Sequence, residues 1–319
     1  MPTTILITGA SGFLGSAAAR YFLARGQRLV CPSRQPLTWQ AAGMDNPIMP
    51  ELAADNDWSP SLDGVAAVIH CAARVHVMQE TASDPLAQFR AVNVAATLSL
   101  ARQAAAAGVR HFIFISSVKV NGEVTAAGSA FRETDTPQAS DPYGVSKCEA
   151  ETALLALAAS SSMAITIIRP PLIYGPGVKA NFLSMLRWLK RGLPLPLAST
   201  NNRRSFVYIE NLLSLIDTCL FHPRARGEVF LVSDGGDVST ADLLRACGHS
   251  LRRPARLWPC PPALLLWLAQ AAGRRGAAER LCWSLQVDIS KAQTLLGWTP
   301  PFSLQQGLQV TVEKTAELC

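Results

Sequence analysis

The chain has 319 residues, 49% of them hydrophobic, and its 29 basic and 23 acidic side chains leave a net charge of +6. This length suits a large α/β domain with a smaller second unit, and the hydrophobic fraction supports an extensive core. The positive charges stand in short pairs such as Arg252–Arg253, whereas nucleic-acid binding requires a clustered stripe, so we expect a small anionic substrate instead. The eight cysteines include no CxxC pair, which predicts reduced thiols and argues against a structural zinc site.

No targeting or membrane-spanning segment is predicted. The N-terminal stretch MPTTILITGASGFLG lacks the basic region of a secretory signal, and glycines interrupt its apolar run. The stretch closest to a membrane span, PPALLLWLAQAAG at 261–273, is shorter than the roughly 18 apolar residues that a span requires. We interpret it as a core or lid helix, with membrane contact as the alternative, and we expect a cytoplasmic protein.

The first 170 residues alternate between short apolar runs and helical patterns. TTILITG is followed by the helical pattern SGFLGSAAARYFLARG, and the strands QRLVCPS and VAAVIHCAA (65–73) come next. A long alanine-rich helix ends at Gly108, HFIFISS is a further strand, and a helix begins at Pro142 with Asp141 as its N-cap. MAITIIRP closes the series. This alternation predicts an α/β fold with a doubly wound parallel sheet of the Rossmann type.

Beyond Pro170 the pattern becomes irregular, and prolines crowd 170–176, 194–196 and 254–262. NFLSMLRWLKRG and IENLLSLIDTCLF are helical patterns, and EVFLVSD at 228–234 is typical of a strand. We therefore expect a dinucleotide-binding domain over 1–170. A smaller substrate-binding region should cover 171–319, interleaved with late elements of the sheet.

The stretch TGASGFLG places Gly9, Gly12 and Gly15 between the first strand and the first helix. Glycines there let the backbone approach a pyrophosphate, and the helix N-terminus offers free N–H groups, so the stretch predicts a dinucleotide site. The second strand ends in Ser33 and Arg34 without a carboxylate. An arginine at this position accommodates the 2′-phosphate of NADP, so we expect NADP, with NAD as the alternative.

The stretch YGVSK places Tyr143 and Lys147 on one face of a helix. An unperturbed tyrosine has a pKa of about 10, and a nearby ammonium favours the phenolate, so the pair can exchange a proton with a sugar hydroxyl or carbonyl. The strand FIFISS ends in Ser116 and Ser117. Adjacent strand residues point to opposite faces, so only one of these serines should face the cofactor.

TGASGFLG, HCAA (70–73), ISS (115–117), YGVSK and RPPLIYGPG (169–177) together resemble the extended short-chain dehydrogenase/reductases, in their UDP-glucose 4-epimerase-like, nucleotide-sugar branch. RRSFVYIENL (203–212) and VDISKAQTLLGW (287–298) extend the resemblance over nearly the whole chain. Stretches such as VKVNGE and GVKANF resemble those of a bacterial subgroup that acts on UDP-N-acetyl-hexosamines for the synthesis of surface polysaccharide.

The resemblance implies that Tyr143 is the acid/base, that Lys147 holds the nicotinamide ribose and that Ser117, rather than Ser116, is the third catalytic residue. It implies diphosphate contacts from Asn181 and Arg204. The further cofactor contacts that it implies are Ser11, Phe13, Leu14, Glu51, Leu52, Ala72, Ala73, Asn93 and Pro170, and the further substrate contacts are Tyr208 and Arg280. Some members pair as dimers, which the helices near 86–107 and 142–159 could form.

Where the 4,6-dehydratases of this family carry an Asp-Glu pair, this chain has Val118 and Lys119, so dehydration is not expected. Lys119 either meets the substrate or is a solvated lysine at a strand end. The leading hypothesis is hydride transfer between NAD(P) and C4 of a UDP-sugar. Since Arg34 favours NADP and NADP favours net reduction, we expect a 4-ketoreductase of a UDP-4-keto-6-deoxy-HexNAc. The alternatives are a 4-epimerase that retains NAD, a non-catalytic NADP-binding sensor and a reductase of a non-nucleotide carbonyl.

Overall fold

The first part of the chain forms alternating strands and helices. The computed structural model describes residues 3–75, 84–178 and 180–316, with the backbone alone for 180, 181 and 316. Its first elements are β1 (Thr4–Thr8), α1 (Phe13–Leu23), β2 (Arg28–Val30), β3 (Met44–Asp45), α2 (Ser59–Leu62) and β4 (Ala67–His70). The strands coincide with the apolar runs of the sequence, apart from β3, which is too short to give a pattern.

The predicted alanine-rich helix is divided by a π-helical turn over Ala91–Ala96, and it ends before Gly108, whose φ is +81°. Its two parts are α3 (Pro85–Arg90) and α4 (Thr97–Ala106). The next elements are β5 (His111–Ile115), α5 (Pro142–Ala159) and β6 (Ala164–Arg169). The predicted Asp141 cap is confirmed, because its carboxylate accepts the first free backbone N–H groups of α5.

The second part of the chain is mainly helical. Its elements are β7 (Leu172–Tyr174), α6 (Ala180–Lys190), β8 (Phe206–Tyr208), α7 (Ile209–Phe221), β9 (Val229–Leu231), α8 (Thr240–Ser250), α9 (Pro262–Ala271), α10 (Arg275–Cys282), α11 (Ser290–Leu296) and α12 (Leu304–Ala316). β7 and β8 pair in parallel as a small second sheet.

The main sheet has seven parallel strands in the order β3-β2-β1-β4-β5-β6-β9, which confirms the Rossmann-type prediction. The order reverses between β1 and β4, and ligands of such sheets bind in the crevice outside the carboxyl ends of the strands at this point. Both faces of the sheet are covered. Ile113 and Ile115 of β5 pack into the core with α1 and α7, whereas Phe112 and Phe114 pack with α4 and α5.

The segment predicted as a core or lid helix lies at the periphery, so the core interpretation is wrong and the lid interpretation stays a prediction. α9, which the structure describes throughout, buries none of its residues. Its side chains at 264, 267 and 268 share one face, and Leu264 is 47% exposed, Trp267 65% and Leu268 48%. Across 3–75, 84–178 and 180–316, no helix is both long and apolar enough to cross a membrane.

Candidate active site

A cavity of about 660 Å³ lies at the carboxyl ends of β1, β4, β5 and β6. Most of the predicted cofactor and catalytic residues line it: Gly9, Ser11, Gly12, Phe13, Leu14, Gly15, Ser33, Arg34, Glu51, Leu52, Ala72, Ala73, Ser117, Tyr143, Lys147 and Pro170. A second cavity, of about 940 Å³, lies between α8 and α12. The first is the candidate active site because it contains the groups that carry chemistry.

The glycine turn forms a cradle at one end of this cavity. Gly9 has φ +73°, and a side chain there would lie 2.9 Å from the backbone nitrogen of Ala72. A Cβ atom on Gly15 would lie 2.2 Å from the carbonyl oxygen of Gly9. α1 begins after Gly12, which has no side chain to cap it, so the first N–H groups of the helix face the cavity unmasked. These features fit the pyrophosphate of a dinucleotide.

Thr8 holds the strand ends of the cradle together, a role that sequence reasoning missed. Its hydroxyl oxygen accepts the N–H of Ala72 at 3.1 Å and lies 2.8 Å from Nδ1 of His70. Burial lowers the pKa of His70 to about 3, which keeps the ring neutral between Thr8 and Thr97. The polar residues at the end of β1 and within HCAA were the available signal.

Arg34 and Glu51 lie together at one end of the cavity. An arginine there favours the 2′-phosphate of NADP, whereas a carboxylate favours the 2′-hydroxyl of NAD. Nη1 of Arg34 lies 3.6 Å from Oε1 of Glu51, and both side chains are largely exposed. The Ser33 hydroxyl donates to the carbonyl of Gln35 and accepts from Nδ2 of Asn46, at 2.6 and 2.7 Å. The arginine that favours a 2′-phosphate therefore shares its position with a carboxylate that repels one.

Ser117 and Tyr143 form the reactive wall of the cavity. Tyr143 stands in the first turn of α5 and lines the cavity together with Ser117, whose hydroxyl accepts the backbone N–H of Lys119 at 3.3 Å. Burial raises the pKa of Tyr143 to about 12, the nearby Ser117 side chain works to lower it, and the Asp141 charge raises it further. In the free protein the tyrosine is therefore protonated at neutral pH, and it can donate a proton.

Lys147 lies one helical turn after Tyr143, with its ammonium directed to the sheet. Nζ donates to the carbonyl oxygen of Ile115 at 2.9 Å and lies 6.0 Å from the centre of the Tyr143 ring. Burial lowers the pKa of Lys147 to about 8. The predicted lowering of the Tyr143 pKa by this ammonium is not found here, because burial dominates and Ser117 provides the opposing effect.

Ser116 belongs to a buried polar network on the other side of β5. Its hydroxyl donates to Glu151 of α5, which also accepts two parallel hydrogen bonds from Arg169 at the end of β6. The remaining guanidinium nitrogen of Arg169 donates to Oδ1 of Asn121 at 3.0 Å. Both serines line the cavity, but the hydroxyl of Ser116 is engaged by this network.

Lys119 was predicted as a substrate contact or a solvated lysine, but it forms two ion pairs. Its Nζ lies 2.6 Å from Oδ2 of Asp141 and 2.8 Å from Oε1 of Glu123. The other oxygen of Asp141 accepts the N–H groups of Tyr143 and Gly144. Lys119 therefore anchors the residue that caps the helix of Tyr143.

Two further predicted contacts lie elsewhere than expected. Tyr208 packs in the core against the rings of Tyr174 and Phe302, and it is 4% exposed. Asn93 is buried behind the cavity wall, where its amide bonds both backbone groups of Arg74 and the hydroxyl of Ser146. Asn93 therefore supports the wall.

Arg204 and Arg280 are brought together, as expected of two diphosphate ligands. Burial lowers the pKa of Arg204, and the positive charge of Arg280 lowers it further. Nη1 of Arg204 donates to the carbonyl of Trp283 just beyond α10, at 3.0 Å. Two neighbouring guanidinium groups favour an anion between them. The side chain of Asn181 lies outside the described residues.

Comparisons with known proteins agree with this geometry. Residues 5–233 match the model of the NAD dependent epimerase/dehydratase family. A protein of Vibrio cholerae named UDP-glucose 4-epimerase is 44% identical over 317 residues, which cover 98% of this chain and 95% of that protein. The N-acetyl-alpha-D-glucosaminyl-diphospho-ditrans,octacis-undecaprenol 4-epimerase of Escherichia coli O157:H7 is 26% identical over 98% of this chain and 95% of its own length.

A solved structure, MoeE5 in complex with UDP-glucuronic acid and NAD, superposes with a TM-score of 0.79 at 24% identity, covering 99% of this chain and 100% of that one. It shares the fold. The family model matches most of the chain, and the Vibrio cholerae relative is 44% identical to it. The glycine cradle and the Tyr143–Lys147 helix are consistent with this family. The chain is an enzyme of the extended short-chain dehydrogenase/reductase type and belongs to the NAD dependent epimerase/dehydratase family.

Proposed function

We propose that this enzyme is a UDP-hexose 4-epimerase that retains NAD and oxidises and reduces C4 of the sugar in turn. The observation that carries the proposal is the position of Ser117, Tyr143 and Lys147 on one wall of the cavity whose far end is the glycine cradle. The name of the 44% identical relative and the NAD in the MoeE5 complex support the same reaction and cofactor.

The residues of this chain would handle the proton at the sugar oxygen. Oxidation of C4 would need Tyr143 as the phenolate, which takes the proton of the O4 hydroxyl, and reduction would return that proton from the phenol to O4. Because the free protein holds Tyr143 protonated, the positive charge of the bound oxidised nicotinamide would have to favour the phenolate. Ser117 would hydrogen-bond the same oxygen, and Lys147 would hold the nicotinamide ribose. When bound, the nicotinamide would supply the hydride acceptor and donor for C4.

The proposed substrate class rests on the two neighbouring arginines Arg204 and Arg280. Arg204 and Arg280 would bind the diphosphate that links the sugar to its carrier. The sugar in the MoeE5 complex is linked to a diphosphate, and so are the sugars in the names of the two curated relatives. We take UDP as the carrier, because the more similar relative is named for a UDP-sugar.

Arg34 favours a second candidate, an NADP-dependent 4-ketoreductase of a UDP-4-keto-6-deoxy-HexNAc. It lies at the cavity rim, where it could meet a 2′-phosphate, although Glu51 pairs with it at 3.6 Å. In the epimerase the Glu51 carboxylate would instead accept a hydrogen bond from a ribose hydroxyl of NAD. The two candidates differ in whether the cofactor stays bound through turnover.

The experiment combines cofactor release with turnover. Purified protein is denatured, and the released dinucleotide is identified by chromatography. Intact protein is then incubated without added cofactor with UDP-glucose, UDP-galactose or their N-acetyl-hexosamine counterparts, and products are resolved by NMR. Tyr143→Phe should lower turnover by at least about a thousandfold while keeping the same dinucleotide content. The matched control is Tyr21→Phe, which removes a hydroxyl that bonds Asp217 on α7.

Copurified NAD and epimerisation without added cofactor would support the epimerase. A requirement for added NADPH and a 4-keto substrate would instead establish the reductase. Full activity of Tyr143→Phe would exclude both mechanisms. The predicted homodimer through the helices near 86–107 and 142–159 is tested in the same preparation by light scattering.

A further inference from the structure

The outer face of α9 is apolar where a surface helix normally carries polar side chains. Leu264, Trp267 and Leu268 follow one another at the i, i+3, i+4 spacing of a helix face, and each is about half exposed or more. The inner residue Leu265 packs against the core. This helix therefore has apolar side chains both inward and outward.

Two further exposed tryptophans lie close to α9 in the chain. Trp258 lies just before α9 and is 49% exposed, and Trp283 follows α10 and is 36% exposed. α9 and α10 pack against each other. We call the surface formed by Leu264, Trp267 and Leu268 the apolar face. Contiguous exposed apolar side chains of this kind mark an interaction site.

The chain around the apolar face is strongly basic. Residues 243–278 contain six arginines and neither aspartate nor glutamate. Arg256, just before Trp258, and Arg274, just after α9, are exposed. Nη1 of Arg253 donates to the carbonyl of Lys190 at 2.7 Å, which brings the basic end of α6 alongside. Arg245 pairs with Asp242 at 2.9 Å and Arg275 with Glu279 at 2.7 Å, so the positive charge that flanks this face rests mainly on Arg256 and Arg274.

We infer that the apolar face docks on the surface of an anionic lipid bilayer. α9 has ten residues, so it lies in the interface and does not cross it. Its leucines and Trp267 enter the boundary between headgroups and acyl chains, where tryptophan is favoured, and the flanking arginines meet lipid phosphates. A soluble acidic partner could pair with the arginines, but its acidic groups would not bury the apolar face.

The location of the apolar face gives this docking a consequence for the enzyme. α10, which packs on α9, carries Arg280, and Arg280 neighbours Arg204 at the candidate diphosphate site. Docking therefore holds α10, and with it Arg280, close to the membrane. The inference goes beyond the proposed reaction, and vesicle binding is measured without turnover, so either can fail alone.

The test is co-sedimentation of the enzyme with vesicles of phosphatidylcholine containing about 30% phosphatidylglycerol, whose negative surface attracts basic side chains. The apolar variant is Trp267→Ser with Leu268→Ser, and its control is Phe221→Ser, which changes an exposed aromatic residue (56%) at the end of α7. The charge variant is Arg256→Gln with Arg274→Gln, and its control is Arg224→Gln.

We expect the wild type and both controls to sediment with the anionic vesicles and to remain in solution with phosphatidylcholine alone. The partition coefficient should fall at least about tenfold in the apolar variant, and about fivefold for each arginine removed at low salt. The inference is overturned if the wild type does not sediment, or if either variant binds like its control. It is equally overturned if light scattering shows that the apolar variant converts a wild-type dimer into monomers, because a second copy would then cover the face.

Discussion

Replacing Lys119 with methionine tests whether this lysine anchors the helix that carries Tyr143. The change keeps most of the side-chain volume and removes an ammonium that pairs with Asp141 and Glu123 at 2.6 and 2.8 Å. The Lys119 side chain is 31% exposed and that of Asp141 is 23% exposed, so solvent screens the pair only partly. A charge-assisted hydrogen bond in this setting contributes about 2 kcal/mol, and the variant should lose that much of its free energy of unfolding.

The loss should depend on pH in a defined direction. Burial works to raise the pKa of Asp141, but the ammonium of Lys119 and the N–H of Gly144 together hold it below its usual range. A native pKa below the unfolded value stabilises the fold above the unfolded pKa, and this stabilisation disappears as pH falls through the native pKa. The wild type and Lys119→Met should therefore differ at neutral pH and converge in acid.

The measurement is urea unfolding followed by circular dichroism at a series of pH values. The control is Arg132→Met, which removes an exposed partner of Asp288 at 3.2 Å and should change stability by less than about 0.5 kcal/mol. Since Asp141 caps the helix at Tyr143, turnover of Lys119→Met should also fall. Equal stability of Lys119→Met and the wild type at neutral pH, or a difference that persists in acid, would refute the anchoring role.

Two other substitutions test the cavity. Gly15→Ala would place a methyl group 2.2 Å from the Gly9 carbonyl; it should destabilise the fold by about 3 kcal/mol and remove bound dinucleotide, whereas Gly236→Ala, with open space around it, should do neither. For Lys147→Met, the native pKa of about 8 lies below the ordinary 10.5 because of burial, so the wild type carries a costly buried charge below pH 8 and gains stability as pH rises from there. The stability of Lys147→Met relative to wild type should therefore be highest below pH 8 and fall above it in urea titrations, while turnover is lost throughout. A difference independent of pH would contradict the buried-charge argument.

Features that depend on a few neighbouring residues were predicted from the sequence. The alternation of apolar strands and helices predicts the parallel sheet because strands covered on both faces must be continuously apolar. The glycine turn and the Asp141 cap follow from local backbone geometry. The choice of Ser117 over Ser116 came from a family resemblance, and the structure adds the reason: Ser116 donates to Glu151, 35 residues away.

Features that depend on distant partners could not be predicted. Lys119 is an ordinary lysine in the sequence, and only folding brings it to Asp141, 22 residues later. Tyr208 stands in a stretch that resembles a family motif. In the folded chain its ring packs in the core against Tyr174 and Phe302.

Short-range patterns in the sequence were enough to predict the Rossmann-type architecture, because the glycine turn and the alternation of strands and helices depend on neighbouring residues. The roles of Ser117, Tyr143 and Lys147 stay predictions. The burial of each apolar or charged side chain, in contrast, depends on which distant elements pack against it, and this is known only from the tertiary structure. The run PPALLLWLAQAAG has the composition of a core helix, but α9 is left at the periphery with its outer leucines and Trp267 uncovered. Burial is a property of the assembled layers, and composition alone does not contain it.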